Sequence, residues 1–299
     1  MYSNIYSSMN PGLIIFIIDE SEIMNNQYGI STSIEMASEF VNSFISDLIS
    51  RCYCGMQIMR WAYILVVGHE NDRQNEKGIL LSGWIDDIAS QEVYESVCTD
   101  SLHEEKHTKC YPKFVKLRTN GMCSSQLNAL ELTYQWIKEW KDDALMNRNI
   151  ARMPVPLIIN ISSGKFYCND IYEDFHNKLL EIRNRIDSVV FPDGSPLVCN
   201  IVLDKECTPS MFPYRCPNRD EEANLFTLST TIPKTLTNYY NWGYADDLIN
   251  TACLRGNERL FLSNMSVDKL RAFGSSIIGF YTHEWCGMCV GQPNNLLDE

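Results

Sequence analysis

No stretch of this 299-residue chain approaches the roughly 20 consecutive apolar residues that a membrane-crossing helix requires, so no membrane span is expected. Positive charge is scarce as well: 25 Lys and Arg against 38 Asp and Glu leave a formal net charge of −13. A surface of that sign repels phosphate backbones and argues against general nucleic-acid binding. The polar segment Met1 to Gly12 has no basic region followed by a long apolar core, so no secretory signal is expected and the chain reads as cytoplasmic. Three glycine-dependent signatures are missing. No Gly-x-Gly-x-x-Gly follows a predicted strand, no Gly-rich loop ends in Lys-Ser/Thr, and no Gly-x-Ser-x-Gly elbow surrounds Ser162 and Ser163. Dinucleotide binding, phosphate-loop ATP hydrolysis and the α/β-hydrolase triad are disfavoured accordingly. There is also no internal repeat and no flexible Gly/Ser linker.

Cysteine, by contrast, is plentiful at twelve residues. In a reducing compartment a buried cysteine acts as a small hydrophobe, so free thiols are expected, with Cys123, Cys168, Cys199 and Cys253 in or at the edge of predicted elements. Apolar runs alternate with helical periodicity. Leu13 to Ile18 is a short run apolar on both faces, as a buried parallel strand demands, and Ile34, Ala37, Val41, Phe44, Ile45 and Leu48 form a helical stripe after it. Strands are predicted at Ala62 to Val67, Gly78 to Trp84, Leu157 to Ile161 and Leu197 to Leu203. Helices are predicted over Ser124 to Met146 and around Phe175, Leu179, Ile182 and Ile186. Glu92 to His107 reads as a helix fragment and a loop, and Val267 to Phe273 as a short helix. The alternation predicts an α/β fold with a doubly wound, mostly parallel central sheet flanked by helices. Residues 1–204 form its core, and 205–299 read as a C-terminal extension packed on the same sheet.

The first strand ends abruptly in Asp19, with Ser21 two places on, where open α/β sheets place their ligands. Here the chain resembles the von Willebrand factor A domain family, whose metal-ion-dependent adhesion site starts with a strand running into Asp-x-Ser-x-Ser. Asp19 and Ser21 match, and Ile23 stands where the second serine belongs. Asn120-Gly121-Met122-Cys123 before the 124–146 helix resembles the loop carrying the next ligand, with Asn120 nearest the ligand position and Thr119 one residue off. Pro156 to Gly164 is similar to the family strand ending in Thr-Asp-Gly, with Ser163 in place of the aspartate. Leu225-Phe226 with Ser229, Gly243-Tyr244, Arg255-Gly256 and Leu260 to Asn264 resemble, in that order, a C-terminal segment of stand-alone bacterial members.

The resemblance implies a Mg²⁺ site made by Asp19, Ser21, Asn120 and Ser163, degenerate and weakened by the loss of one carboxylate, with Glu20 or Glu22 as stand-ins. The residues themselves support a second reading, in which Asp19 and Ser21 cap the following turn by accepting backbone N–H bonds. For function the resemblance implies a cytoplasmic, non-enzymatic scaffold or adaptor of a bacterial signalling, stress-response or defence system. It would bind a protein partner at the C-terminal edge of the sheet, with or without Mg²⁺, beside kinases and phosphatases. The alternative is a metal-dependent hydrolase or phosphotransfer-associated enzyme using Asp19 and neighbouring oxygens.

Three further constellations compete. His283, Cys286 and Cys289 offer three Zn²⁺ ligands or a redox dithiol, against an ordinary C-terminal turn. His103-Glu104-Glu105-Lys106-His107 has the spacing of a helical zinc-protease motif but lies in a polar, acidic stretch that reads as a solvated face. Tyr239, Tyr240, Trp242 and Tyr244 cluster ahead of Asp246-Asp247 and read as a partner-binding patch.

Overall fold

The computed structural model describes residues 2, 4–69, 78–91, 94–99, 108–119, 125–147, 153–165, 172–241, 254 and 256–290. Its central sheet has seven strands: β1 (Gly12–Ile18), β2 (Ala62–Gly68), β3 (Ile79–Trp84), β4 (Leu157–Ser162), β5 (Leu197–Val202), β6 (Ser210–Met211) and β7 (Phe261–Ser263). They lie in the order β6-β7-β5-β4-β1-β2-β3. The inner five are parallel, and the edge strands β6 and β3 run antiparallel to their neighbours. This is the mostly parallel α/β architecture that the alternation predicts.

The helices are α1 (Ser33–Arg51), α2 (Ile85–Ala89), α3 (Gln126–Asn147), α4 (Tyr172–Ser188), α5 (Asp220–Leu228), α6 (Lys234–Asn241) and α7 (Val267–Val290). Side chains alternate across a strand, so the parity of a residue decides which helices it meets. Phe16 of β1 meets Phe44 of α1 edge-on at 5.2 Å, and Phe40 of α1 stacks with Phe273 of α7 at 6.3 Å. On the other face Tyr63 of β2 stacks on Trp136 of α3 at 5.7 Å, and Phe261 of β7 meets Phe226 of α5 at 5.9 Å. With helices on both sides, no face of the inner strands needs polar residues, and every residue of β1, β4 and β5 is buried. Residues beyond 204 contribute β6, β7, α5, α6 and α7, and β7 joins them to the core by pairing with β5.

Two segments differ from their sequence reading. Tyr94–Thr99 pairs with Thr108–Lys113 as an antiparallel ribbon rather than starting a helix, in keeping with the aromatic and β-branched Tyr94, Val97 and Thr99. The helix expected over 267–273 runs on to Val290, and this replaces the C-terminal turn expected around Cys286 and Cys289 with helical backbone. Gly274 and Gly279 weaken a helix intrinsically but serve close approach here. A Cβ on Gly274 would lie 3.2 Å from the rings of Phe40 and Phe44, and one on Gly279 would lie 2.6 Å from the Tyr239 hydroxyl.

Candidate functional site

The chain leaves β1 toward β2 on one side, while β4 and β5 lie on the other, so the strand order reverses between β1 and β4. Ligands of open α/β sheets bind in the crevice outside the strands at such a point. Parallel register sets what meets there. Ile18 pairs with both Gly68 and Ile161, which brings the residues after β1, β2 and β4 side by side. The backbone continues the ladder: Asp19 N–H donates to Ile161 O and His69 N–H to Ile18 O, both at 2.9 Å.

Asp19 is 0% exposed and its carboxylate is heavily engaged. Oδ1 accepts the Ser21 N–H at 3.0 Å, and Oδ2 accepts the Ser163 N–H at 3.2 Å and the Ser163 hydroxyl at 3.0 Å. One side chain thus ties β1, the loop after β4 and the turn after β1. His69 Nδ1 stands 3.9 Å from Asp19 Oδ1, beyond hydrogen-bond range. Burial lowers the pKa of His69 against the opposing pull of Asp19 and the Asn160 side chain, so the ring is held neutral. From Asn160 a buried amide chain crosses the sheet: its Nδ2 donates to Asn200 Oδ1 at 2.8 Å, and Asn200 Nδ2 donates to Ser229 Oγ at 2.9 Å and to Leu225 O in α5. Glu20 is also buried, and its carboxylate fills the place where a side chain at position 68 would sit, 2.0 Å from a Cβ there. Gly68 is what lets it fit.

The capping reading applies to Asp19 alone. Ser21 opens the 3₁₀ turn Glu22–Asn25, but its hydroxyl makes no capping bond and, among the described residues, has no hydrogen-bond partner. A short ribbon, Gln27–Tyr28 with Ser31–Thr32, then leads into α1, whose start carries a capping box between Thr32 and Glu35. Beside this apex opens a cleft of about 250 Å³ lined by residues including Ile23, Gln27, Ser163, Lys165, Asp204 and Glu206. Lys165 Nζ lies 3.2 Å from Asp204 and 3.7 Å from Glu206, and Arg219 reaches the same carboxylates at 3.6 and 3.5 Å. Burial acts to lower the Lys165 pKa, but the bond and charge of Asp204, with Glu206, outweigh it and raise the pKa.

Of the expected metal set, Asp19, Ser21 and Ser163 come together, while Asn120 lies outside the described residues. Thr119, the neighbouring candidate, has its hydroxyl engaged by Asn25 Nδ2 at 2.7 Å. His103 and His107 lie outside the described residues, as do Trp242 and Tyr244 and the side chains of Tyr240, His283, Cys286 and Cys289. Tyr239 is half-buried, its ring edge-on to Phe280 of α7 at 5.4 Å. Cys52, Cys54, Cys199, Cys207 and Cys216 are free thiols, and burial pushes Cys52 and Cys207 up to about 12, where a thiolate does not form at neutral pH. Sequence reasoning missed His69. It follows Val67-Gly68 at the end of β2, and only the parallel pairing of β2 with β1 brings it next to Asp19.

The residues present do not fit a divalent cation of the kind the resemblance implies. Mg²⁺ takes about six oxygens in near-octahedral geometry. Here the one carboxylate of the set already accepts three protein donors, Ile23 presents carbon where a hydroxyl is needed, and Ser163 donates to Asp19 instead of adding a charge. Among the described residues no group of three or more His, Cys, Asp or Glu is placed to hold a metal.

No family model and no curated protein matches the sequence. Among solved structures, the pilus adhesin SpaC from Lactobacillus rhamnosus GG aligns at 9% identity and a TM-score of 0.48, over 94% of this chain and 32% of its own. A manganese-loaded TRAP protein of Plasmodium vivax aligns at 10% identity and a TM-score of 0.36, over 75% of this chain and 66% of its own. The chain therefore spans about a third of the adhesin and just under two thirds of the TRAP protein. With both TM-scores below 0.5, neither likeness carries a functional argument. The strand order and helical layers are those of a mostly parallel α/β sheet covered by helices on both faces. Among the described residues, no helix is long and apolar enough to cross a membrane.

Proposed function

We propose that this chain is a non-enzymatic protein-interaction domain, a scaffold or adaptor, whose binding surface is the cleft at the carboxyl ends of β1, β4 and β5. One observation carries the reading: the Asp19 carboxylate, the residue an enzyme would use at this point, is fully buried and bonded on both oxygens. A general base or nucleophile must reach its substrate. Of the titratable groups that line the cleft, Lys165, Asp204, Lys205 and Glu206, Lys165 is paired with both carboxylates. Such a wall presents shape and balanced charge to a partner rather than a poised acid or base. A place in a bacterial signalling, stress-response or defence system, beside kinases and phosphatases, rests on the family resemblance alone.

Capture from host cells with Lys165→Glu tests the surface, with Met56→Glu as a control in the short hairpin that pairs Tyr53–Cys54 with Gln57–Ile58, where Met56 is 92% exposed. The expected result is a partner retained by the parent and by Met56→Glu and lost by Lys165→Glu, with both variants folded. Screens for phosphatase, nuclease and nucleotide hydrolysis should stay flat. Turnover that disappears in Asp19→Asn would overturn the reading in favour of the hydrolase alternative.

A further inference from the structure

We infer that Asp19 is a metal-independent latch, and that Ser163 supplies across the β1–β4 seam the link that holds the apex closed without any cation. An ionised carboxylate taken out of water must be met by donors or by positive charge. The His69 ring nitrogen stands 3.9 Å from Asp19 Oδ1, beyond hydrogen-bond range. The donors are therefore the Ser21 N–H, the Ser163 N–H and the Ser163 O–H, three hydrogen bonds to one carboxylate that offers about four acceptor directions.

The loop after β4 is shaped to deliver them. Ser162 Oγ accepts the Gly164 N–H at 3.2 Å, and Ser163 Oγ accepts the Lys165 N–H at 3.3 Å while donating its own proton to Asp19. Gly164 takes a positive φ of 77°, which turns the loop back toward the apex. The serine at 163 is thus both donor to Asp19 and acceptor within its own loop. A carboxylate at that position could still accept the Lys165 N–H, but its side chain would have no proton to donate to Asp19. The latch stands whether or not a partner binds the cleft, so it can fail without the interaction reading failing, and the reverse.

The test is thermal unfolding of the full chain in EDTA, in millimolar Mg²⁺ and in millimolar Mn²⁺, for the parent, Ser163→Ala and Asp19→Asn. The parent should melt at one temperature in all three buffers, and Ser163→Ala should melt about 4 °C lower in all three. A second readout is the amide spectrum of the parent with Mn²⁺ added, in which the Ser21 and Ser163 signals should keep their intensity relative to the rest of the sheet. A saturable rise with either cation that Asp19→Asn abolishes, or selective broadening at Ser21 and Ser163, overturns the inference. So does a Ser163→Ala variant that melts with the parent.

Discussion

At the carboxyl ends of the strands, Asp19, Glu20 and His69 are each no more than 1% exposed; at the amino ends the same depth is filled by the rings of Tyr6 and Tyr281, stacked 4.6 Å apart. Both ends are sealed by the segment that flanks β1. At the amino end the seal is mainly shape, assisted by backbone: the Tyr6 N–H donates to Tyr281 O at 3.0 Å, the Asn4 N–H to Asp193 Oδ2 at 2.9 Å, and the Thr235 hydroxyl to Tyr2 O at 3.0 Å. The Tyr6 hydroxyl itself has no partner among the described residues. At the carboxyl end the seal is directional, since Asp19 is satisfied only while Ser21 and Ser163 point at it. A packed ring tolerates loss of a polar atom but not of volume, whereas a buried polar network tolerates neither an unpaired donor nor a change of charge. The two ends should therefore break differently.

The largest effect is expected at the amino end. Tyr6→Ala removes a fully buried ring and should destabilise by about 4 kcal/mol, whereas Tyr6→Phe, which deletes only an unpartnered hydroxyl, should leave stability unchanged or raised. Denaturant unfolding of the two variants reads this directly, and equal losses would mean that the hydroxyl matters after all. Next comes Asp19→Ala, which strands two N–H groups and a hydroxyl at the apex and should destabilise by about 3 kcal/mol. The comparison sharpens if Asp19→Asn, close in volume, recovers only part of that loss, because volume is then not what Asp19 contributes.

The sequence made this contrast half legible. The apolar run at β1 announced a doubly covered strand, and its sudden end at Asp19 located the apex, because burial on both faces leaves no other place for polar side chains. Ser163 was reached by the likeness of its strand ending. His69 was not, because its placement depends on β2 lying parallel beside β1, a pairing that no local pattern encodes. Nor did the residues near Tyr6 foretell its stacking on Tyr281, since contacts between positions 6 and 281 leave no local signature. The ribbon at 94–99 was misread because a mixed, acidic stretch has weak periodicity in either state, and pairing with 108–113 decides it.

A smaller effect separates the ends by pH. The folded state lowers the pKa of His69 below its ordinary value near 6.5, so the unfolded chain takes up a proton first as pH falls. Stability from this group is present above that ordinary value and is lost as pH drops through it toward the folded value. The slope is at most about 1.4 kcal/mol per pH unit. Between pH 7 and 5 the parent should lose stability more steeply than His69→Gln, and Tyr6→Phe should track the parent. Parallel curves for the parent and His69→Gln would mean that His69 is not held neutral.

The smallest stability effect belongs to the residue with the largest expected effect on binding. Lys165 is part-exposed and shares Asp204 and Glu206 with Arg219, so Lys165→Met leaves both carboxylates a cationic neighbour. Ion pairs of this exposure contribute little, and the loss should be about 0.5 kcal/mol or less, shrinking further in salt. Asp19 lies one residue row deeper and holds the fold, whereas Lys165 faces the cleft and shapes its charge. If Lys165→Met melts with the parent yet captures no partner, fold and binding are separate layers of the same apex. If it melts several degrees lower, the lysine is part of the latch, and the boundary between the two layers lies closer to solvent than the Asp19–Ser163 bond.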